Sequence, residues 1–109
     1  MAKGYWIGRL DVTDPERFKA YAVAAAEAWR KYGGRFLVRG GSFESMEGSS
    51  RARNVVIEFN DYVTALACYR SSEYAKAEPL RRRYSVADII VIEGYDGPQP
   101  TAMSAFPPP

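Results

Sequence analysis

The sequence predicts a single α+β domain in which two helical regions alternate with four strands. Its 109 residues are about the length of one domain. Apolar residues make up 47% of the chain and charged residues 26%, a balance typical of a globular protein with its own core. Apolar side chains recur at every second residue in short segments and at every third or fourth residue in longer ones.

The first strand is predicted over residues 5–12, and a helix follows it. Asp14 is a suitable N-cap for that helix, and Pro15 suits the first helical position. Glycine readily adopts the left-handed conformation that closes a helix, so Gly33-Gly34 predicts the helix end. One face of this helix carries the apolar side chains of Phe18, Tyr21, Ala22, Ala25, Trp29 and Tyr32.

The second and third strands are predicted over residues 35–40 and 53–59, since both segments are rich in residues that favour strands. A further short extended piece is expected at 43–47, before a loop that begins at Gly48. These segments place two successive strands between the helices.

The second helical region begins at Asn60 or Asp61, each of which can cap a helix, and Ser71-Ser72 breaks it. A further helical piece over 73–83 is predicted to be interrupted by Pro79. The last strand is predicted over residues 88–95.

The resulting order, β-α-β-β-α-β, predicts a ferredoxin-like α+β sandwich with an antiparallel sheet in the order 4-1-3-2. We expect residues 1–96 to form this domain. Residues 97–109 carry no charge and hold five of the seven prolines, so we expect a Pro-rich C-terminal tail. The tail is interpreted either as a disordered end or as an arm that anchors on a partner subunit through Met103 and Phe106.

The alternation of side chains gives the predicted sheet two different faces. One set has no charge and is expected to lie beneath the helices: Trp6, Gly8, Leu10, Phe36, Val38, Val55, Ile57, Phe59, Ile90 and Ile92. The other face is half apolar and half charged. Its contiguous apolar patch, predicted to comprise Ile7, Leu37, Val56, Ile89 and Val91, is typical of a partner surface. The pattern therefore predicts a twofold homodimer through this sheet face.

Polar side chains are expected at both ends of that second face. One predicted group comprises Arg9, Asp11, Arg39 and Asn54, and the other comprises Tyr5, Arg35, Glu58 and Glu93. Charges inside an interface must be paired or must bind something. The groups are interpreted either as ion pairs that fix the dimer register or, for Arg9, Arg39 and Asn54, as a site for an organic anion, since the arginine fork matches a carboxylate. Two carboxylates, Glu58 and Glu93, could in principle perform acid–base chemistry. Because Arg35 and Tyr5 are expected close by, they are interpreted as part of a structural network.

A second candidate site lies between the sheet and the helices. Gly8 has no side chain and leaves a gap beside Trp6. Aromatic walls are available there from Tyr21, Trp29, Phe36, Tyr62 and Tyr69. This arrangement is interpreted either as ordinary core or as a pocket for a flat hydrophobic ligand, with Trp6, Tyr21 and Trp29 as candidate ligand-binding residues.

Composition excludes several function classes. The chain has no histidine, which excludes Ser-His-Asp and Cys-His catalysis, a His-bound haem and most zinc sites, and we expect neither a metal nor a cofactor. The single cysteine, Cys68, rules out an intrachain disulfide and favours the cytoplasm. A net charge of +2 argues against nucleic acid, and no apolar segment is long enough to span a membrane. The basic run 81–83 is interpreted as a solvated helix end.

Several segments resemble the DUF1330 family over roughly residues 4–96. The most specific are Tyr32-Gly-Gly-Arg-Phe-Leu-Val-Arg-Gly-Gly and Ala67-Cys-Tyr-Arg-Ser-Ser-Glu-Tyr, accompanied by Asn54-Val-Val-Ile-Glu-Phe and Ala87-Asp-Ile-Ile-Val-Ile-Glu-Gly-Tyr. The resemblance implies a dimeric α/β-barrel, in which two ferredoxin-like sheets face each other, and small bacterial proteins without an established activity. The wider superfamily includes cofactor-free monooxygenases and isomerases, but fold alone does not carry function.

Three functional hypotheses remain at this point. The first is a homodimer that binds a small ligand, with a small organic anion as the favoured class. The second is a cofactor-independent monooxygenase or isomerase of small aromatic or unsaturated acids. The third is a structural or regulatory dimer without a ligand. Whether the protein is an enzyme is left open by its sequence.

Overall fold

The computed structural model describes residues 2–101, which form one antiparallel sheet with helices on one side. The sheet order is β2-β3-β1-β4, and this confirms the predicted ferredoxin-like fold. Along the chain the elements are β1 (Gly4–Val12), α1 (Pro15–Lys31), β2 (Arg35–Arg39), β3 (Arg53–Phe59), α2 (Tyr62–Tyr69), α3 (Ser72–Ala75), α4 (Glu78–Tyr84) and β4 (Ser85–Glu93).

The helix boundaries follow the predicted capping residues. The Asp14 carboxylate accepts a hydrogen bond from the backbone N–H of Arg17 at 3.1 Å, and the Asp61 carboxylate accepts one from Thr64 at 2.7 Å. Gly33, with φ of +72°, follows the end of α1. Local side-chain chemistry therefore determines where both long helices begin and where the first one ends.

Three predicted boundaries were wrong. Residues 43–47 form no strand. The helical region after Ser71 is interrupted at residues 76–77 rather than at Pro79, which lies in the first turn of α4, where the missing N–H of proline costs no helical hydrogen bond. The last strand occupies 85–93 instead of 88–95, because it pairs with β1 from Val12 opposite Ser85 to Gly4 opposite Glu93.

The predicted division of faces holds for β1 and β3 and fails for β4. Trp6 and Leu10 of β1, and Ile57 and Phe59 of β3, are buried beneath the helices. In β4, however, Val91 lies opposite Trp6 and Ile89 lies opposite Gly8, so these two side chains share the helix-covered face. Ile90 and Ile92 are instead exposed on the open face, 53% and 44% respectively.

A β-bulge in β2 changes the orientation of its second half. Phe36 lies opposite Ile57, but Val38 lies opposite Val56 and Arg39 lies opposite Val55. Leu37 is therefore an extra residue in this strand. Val38, predicted beneath the helices, joins the open face, and Arg39, predicted opposite Asn54 on the open face, joins the helix-covered face.

The predicted tail is described only up to Thr101. Its first residues after Gly97 are exposed, and the Tyr95 hydroxyl donates a hydrogen bond to the Pro98 carbonyl at 2.7 Å. The proposed anchors Met103 and Phe106 lie outside the described residues. Within residues 2–101, no helix has the length and apolarity needed to cross a membrane.

Candidate functional site

A cavity of about 50 Å³ lies between α1 and the helix-covered face of the sheet. This volume exceeds the roughly 10–15 Å³ that a single water requires, but it is about a third of the roughly 150 Å³ of a cavity that holds benzene, so an aromatic ligand would extend from it toward solvent. The lining comprises Trp6, Gly8, Leu10, Phe18, Tyr21, Ala22, Trp29, Phe36, Arg39, Arg53, Val55, Ile57 and Ile89. It thus includes the predicted Trp6–Gly8 gap and the walls Tyr21, Trp29 and Phe36, whereas the predicted walls Tyr62 and Tyr69 do not line it.

The missing side chain of Gly8 contributes to this space. A Cβ built on Gly8 would lie 3.6 Å from the Leu10 side chain and 3.7 Å from that of Ile89. These are ordinary van der Waals distances, so an additional methyl group fits there without a clash. Glycine at this position therefore leaves volume open rather than avoiding a collision.

The aromatic walls hold each other in edge-to-face contacts. The ring of Trp29 lies 5.0 Å from Phe36 at 84° and 6.0 Å from Tyr21 at 87°. The two tryptophan rings are 6.4 Å apart at 73°. Such contacts favour particular ring orientations as well as adding to burial, so the cavity has flat and mostly apolar walls.

Arg39 brings a positive charge to these walls. Its guanidinium carbon lies 3.9 Å from the centroid of the Phe36 ring and 5.9 Å from that of Trp29. Arg53 also lines the cavity, and neither arginine forms an ion pair with any carboxylate in residues 2–101. The cavity therefore combines an aromatic interior with two cations that lack anionic partners in the described chain.

The indole nitrogen of Trp29 is a buried donor without an acceptor. Trp29 is 8% exposed, and its Nε1 is the one buried side-chain nitrogen or oxygen in residues 2–101 that lacks a hydrogen-bond partner. By contrast, Nε1 of Trp6 donates to the Ala65 carbonyl at 2.8 Å. A buried N–H without an acceptor costs about 1–3 kcal/mol, so an acceptor that reached Trp29 would recover part of that cost.

A buried network of tyrosines surrounds Arg81 next to the cavity. Tyr21, a wall residue, lies with its hydroxyl 2.8 Å from that of Tyr74, and Arg81 donates to Tyr74 and to Tyr69, each at 3.2 Å. Burial raises the pKa of Tyr21 well above 10.0 and also raises the pKa of Tyr74, which the charge of Arg81 partly counteracts. Both phenols therefore stay protonated at neutral pH.

Arg81 corrects the prediction that the basic run 81–83 is a solvated helix end. Its side chain is buried, with 5% exposure, whereas Arg82 and Arg83 are exposed. The helix α4 turns Arg81 toward the tyrosines, and no carboxylate in residues 2–101 pairs with it. The sequence gives no reason to treat the three arginines differently. Only the tertiary packing shows that Arg81 is buried while the other two are exposed.

The predicted anion site on Arg9 and Arg39 is not assembled, because the bulge places the two arginines on opposite faces of the sheet. Arg9 and Asn54 remain on the open face, opposite each other in β1 and β3. They line an open groove of about 440 Å³ together with Val38 and the loop that follows β2. Asn54 donates to the Arg51 carbonyl at 3.4 Å.

Three of the four residues of the predicted ion-pair network come together. Glu58 accepts a hydrogen bond from the Tyr5 hydroxyl at 3.0 Å and pairs with Arg35 at 3.1 Å. The bond to Glu58 is the main reason that the pKa of Tyr5 is raised. Glu93 lies opposite Gly4, on the other face of the sheet, so it does not join Glu58 in a carboxylate pair.

A second ion-pair cluster was missed in the sequence. Arg51, in the loop before β3, contacts Asp11 of β1 and Asp88 of β4, each at 2.8 Å. The backbone N–H of Ala52 and the guanidinium of Arg51 lower the pKa of Asp11. The pairing of β1 with β4 and the path of the loop before β3 bring these three residues together. No local pattern around any of them predicts the contact.

Cys68 and the acidic residues offer no further chemistry in the described chain. Burial raises the pKa of the Cys68 thiol to about 12, so it is a neutral thiol at physiological pH. Residues 2–101 contain no group of three or more His, Cys, Asp or Glu side chains placed to hold a metal ion. The aromatic cavity is therefore the strongest candidate site.

Comparison with protein families gives one match over most of the chain. The model of the family described as "Domain of unknown function (DUF1330)" matches residues 3–95. No curated protein matches the sequence significantly.

Several solved structures share the fold at low sequence identity. A protein of unknown function from Rhodopseudomonas palustris has a TM-score of 0.68 and 13% identity, covering 88% of this chain and 85% of its own. SnoaB, a cofactor-independent oxygenase from Streptomyces nogalater, has a TM-score of 0.60 and 12% identity, covering 89% of this chain and 97% of its own. A conserved protein from Methanosarcina mazei has a TM-score of 0.55 and 15% identity, covering 84% and 93%.

Proposed function

Since the chain belongs to the DUF1330 family, whose function is unknown, we propose that it is a homodimer that binds a small organic anion with an aromatic body in the cavity beneath α1. One observation carries this proposal: the bulge in β2 turns Arg39 onto the face that holds the aromatic cavity. The candidate arginine of the open face and the candidate aromatic pocket thus become parts of one site.

The chemistry of the lining favours this ligand class. Flat aromatic walls suit a planar apolar body, and ligand pockets usually combine such walls with a few polar groups that fix orientation. The guanidinium of Arg39 presents a fork of donors that matches a carboxylate. It has no carboxylate partner in residues 2–101, so a bound anion would supply one. The proposal requires no metal or cofactor.

The open sheet face supports the proposal of a homodimer. Among its apolar side chains, Val38, Ile90 and Ile92 are between 43% and 53% exposed. Together with the half-buried Ile7 and Val56 they make a continuous apolar surface across all four strands. A surface of this kind normally marks an interface, and a second copy of the same face is complementary to it in chemistry.

Binding of benzoate tests the proposed site. The two tryptophans of the chain both line the cavity, so their fluorescence reports its occupancy. We expect benzoate to bind the wild type and Arg39→Gln to weaken that binding at least about tenfold, since a charge-assisted hydrogen-bonded contact is lost. Toluene, which has the ring without the carboxylate, should bind both proteins equally.

Arg30→Gln is the matched control for Arg39→Gln, because Arg30 is exposed on α1 and does not line the cavity. This variant should bind benzoate as the wild type does. Failure of the wild type to bind benzoate at millimolar concentration, or equal binding by Arg39→Gln, contradicts the proposal. The former result favours a structural or regulatory dimer without a ligand.

A cofactor-independent monooxygenase or isomerase of small aromatic or unsaturated acids is the second candidate function. The observation that favours it is the combination of an aromatic cavity, protonated buried tyrosines and a backbone similar to that of the Streptomyces nogalater oxygenase. Oxygen consumption with hydroquinone-type substrates in chelator-treated buffer would support the oxygenase activity. Benzoate binding without oxygen consumption or isomerisation of any substrate in a broad panel would support ligand binding alone.

A further inference from the structure

The buried guanidinium of Arg81 starts a chain of hydrogen bonds. An arginine side chain carries only donors, so the oxygens of Tyr74 and Tyr69 both accept hydrogen bonds from it. Tyr69 in turn lies 3.4 Å from a carboxylate oxygen of Glu78, to which its hydroxyl donates. On this side the positive charge of Arg81 is linked to an acceptor on α4.

The other branch of this chain has no such acceptor at its end. Tyr74 is fully buried, and its oxygen accepts from Arg81, so its own proton needs an acceptor. The only such acceptor in residues 2–101 is the Tyr21 oxygen at 2.8 Å. Hydrogen bonds that all point away from a cation reinforce one another, which favours this direction. In this direction the Tyr21 oxygen accepts a hydrogen bond from Tyr74, and the Tyr21 proton has no acceptor in residues 2–101.

We infer that the Tyr21 hydroxyl donates its proton to an oxygen of the ligand, and that the cavity therefore selects ligands whose polar head only accepts hydrogen bonds. This inference rests on the proposed function and specifies its ligand class. Deprotonated aromatic acids and enolates belong to that class, whereas the corresponding amides, amines and alcohols carry donors that would find no acceptor here.

The rest of the polar lining agrees with this selectivity. Trp29 offers an indole N–H without an acceptor, and an indole nitrogen never accepts. Arg39 offers donors alone, and it has no carboxylate partner in the described chain. The high pKa of Tyr21 keeps its proton in place over the physiological range. These three side chains thus provide donors from two elements, α1 and β2, and the side chains that line the cavity in residues 2–101 include no unoccupied acceptor of comparable strength.

Binding of benzoate, benzamide and toluene to the wild type and to Tyr21→Phe tests the inference. The wild type should prefer benzoate to benzamide. Tyr21→Phe should bind benzoate about tenfold more weakly and toluene within a factor of two of the wild type, because only the contact with the polar head is lost. Tyr32→Phe is the matched control, since Tyr32 packs on the core but does not line the cavity, and it should behave as the wild type.

Tyr74→Phe gives a second, independent readout. This variant retains Tyr21 but removes the hydroxyl of residue 74 that donates to it. The Tyr21 oxygen can then accept a hydrogen bond from the ligand, so the preference for benzoate over benzamide should fall. Equal losses of benzoate and toluene binding in Tyr21→Phe, or an unchanged preference in Tyr74→Phe, would overturn the inference while leaving the cavity as a binding site. Absence of benzoate binding by the wild type would overturn the proposed function and this inference together.

Discussion

At the scale of single residues, Gly8 determines how much room the cavity has. Since a methyl group at this position meets only ordinary contacts, Gly8→Ala should fold normally. We expect its melting temperature to equal or exceed that of the wild type, because alanine loses less backbone entropy on folding, an effect of roughly 0.5–1 kcal/mol. Benzoate affinity should nevertheless fall severalfold, as measured by tryptophan fluorescence.

Gly41→Ala is the control for this variant, because a Cβ at Gly41 has no neighbour within 4 Å and lies outside the aromatic cavity. It should leave benzoate binding unchanged. If Gly8→Ala binds benzoate as tightly as the wild type, the ligand does not occupy the space beside Gly8, and the cavity assignment is wrong.

Individual residues differ in how far their place was predictable from the sequence. Trp6, Tyr21 and Trp29 follow strand or helix periodicity, so the pattern placed them on the right face. Arg81 does not follow from such a pattern, because it belongs to a run of three arginines. Its burial depends on tyrosines from three other helices: Tyr74 and Tyr69 lie 7 and 12 residues away in the chain, and Tyr21, which acts through Tyr74, lies 60 residues away.

At the scale of secondary structure elements, the bulge in β2 is the feature that sequence periodicity missed. The residues of β2 alternate like those of a regular strand, and an extra residue shows only when the partner strand fixes the register. A related problem affects β4, in which consecutive residues 89–92 are all apolar. Either set of alternate side chains suits a core, so only pairing with β1 determines which set is covered.

The start of α2 provides a pH-dependent test at the same scale. Hydrogen bonds from the side chain and backbone N–H of Thr64 lower the pKa of the Asp61 carboxyl below its ordinary value of 3.8. A carboxyl with a depressed pKa in the folded state stabilises that state fully above about pH 4, and this contribution is lost as the pH falls through the folded-state pKa. Asparagine also caps helices but does not titrate. Asp61→Asn should therefore show a smaller loss of melting temperature between pH 5 and pH 2.

Glu44→Gln is the control for this acid titration, because Glu44 is exposed in the loop after β2 and its substitution also removes one acidic group. Its melting temperature should fall with pH as steeply as that of the wild type. An equally steep fall in Asp61→Asn would show that the cap does not contribute to acid sensitivity.

At the scale of the whole molecule, the proposed homodimer depends on the open sheet face. We expect the wild type to elute at twice the chain mass of 12.2 kDa in size-exclusion chromatography with light scattering. Ile90→Lys places a charge in the centre of the apolar face, where burying it in an interface costs several kcal/mol, so this variant should be monomeric. Its circular dichroism should remain that of the wild type.

Val23→Lys is the matched control, since Val23 is 78% exposed on α1 and lies far from the open face in the two-layer fold. It should remain dimeric. A monomeric wild type, or a dimer that persists in Ile90→Lys, would contradict assembly through this face.

The order of the elements was predictable because caps, glycines and alternation mark each element locally. The strand order followed from the ferredoxin-like fold, the known solution for that element order. The sequence did not predict that Arg39 and the aromatic cavity belong to one site, because their proximity depends on the β-bulge in the edge strand β2. Sequence reasoning therefore identified several of the residues that line the cavity and assigned Arg39 to the wrong side of the sheet.

The bulge also affects how related sequences should be aligned. Arg39 follows Phe36 by three positions in β2, but their partners in β3, Ile57 and Val55, are only two positions apart. A homologue with a regular strand would present the same guanidinium from an arginine only two positions after its phenylalanine. Column-by-column comparison would then report the arginine as lost, although the two proteins carry the same charge at the same place.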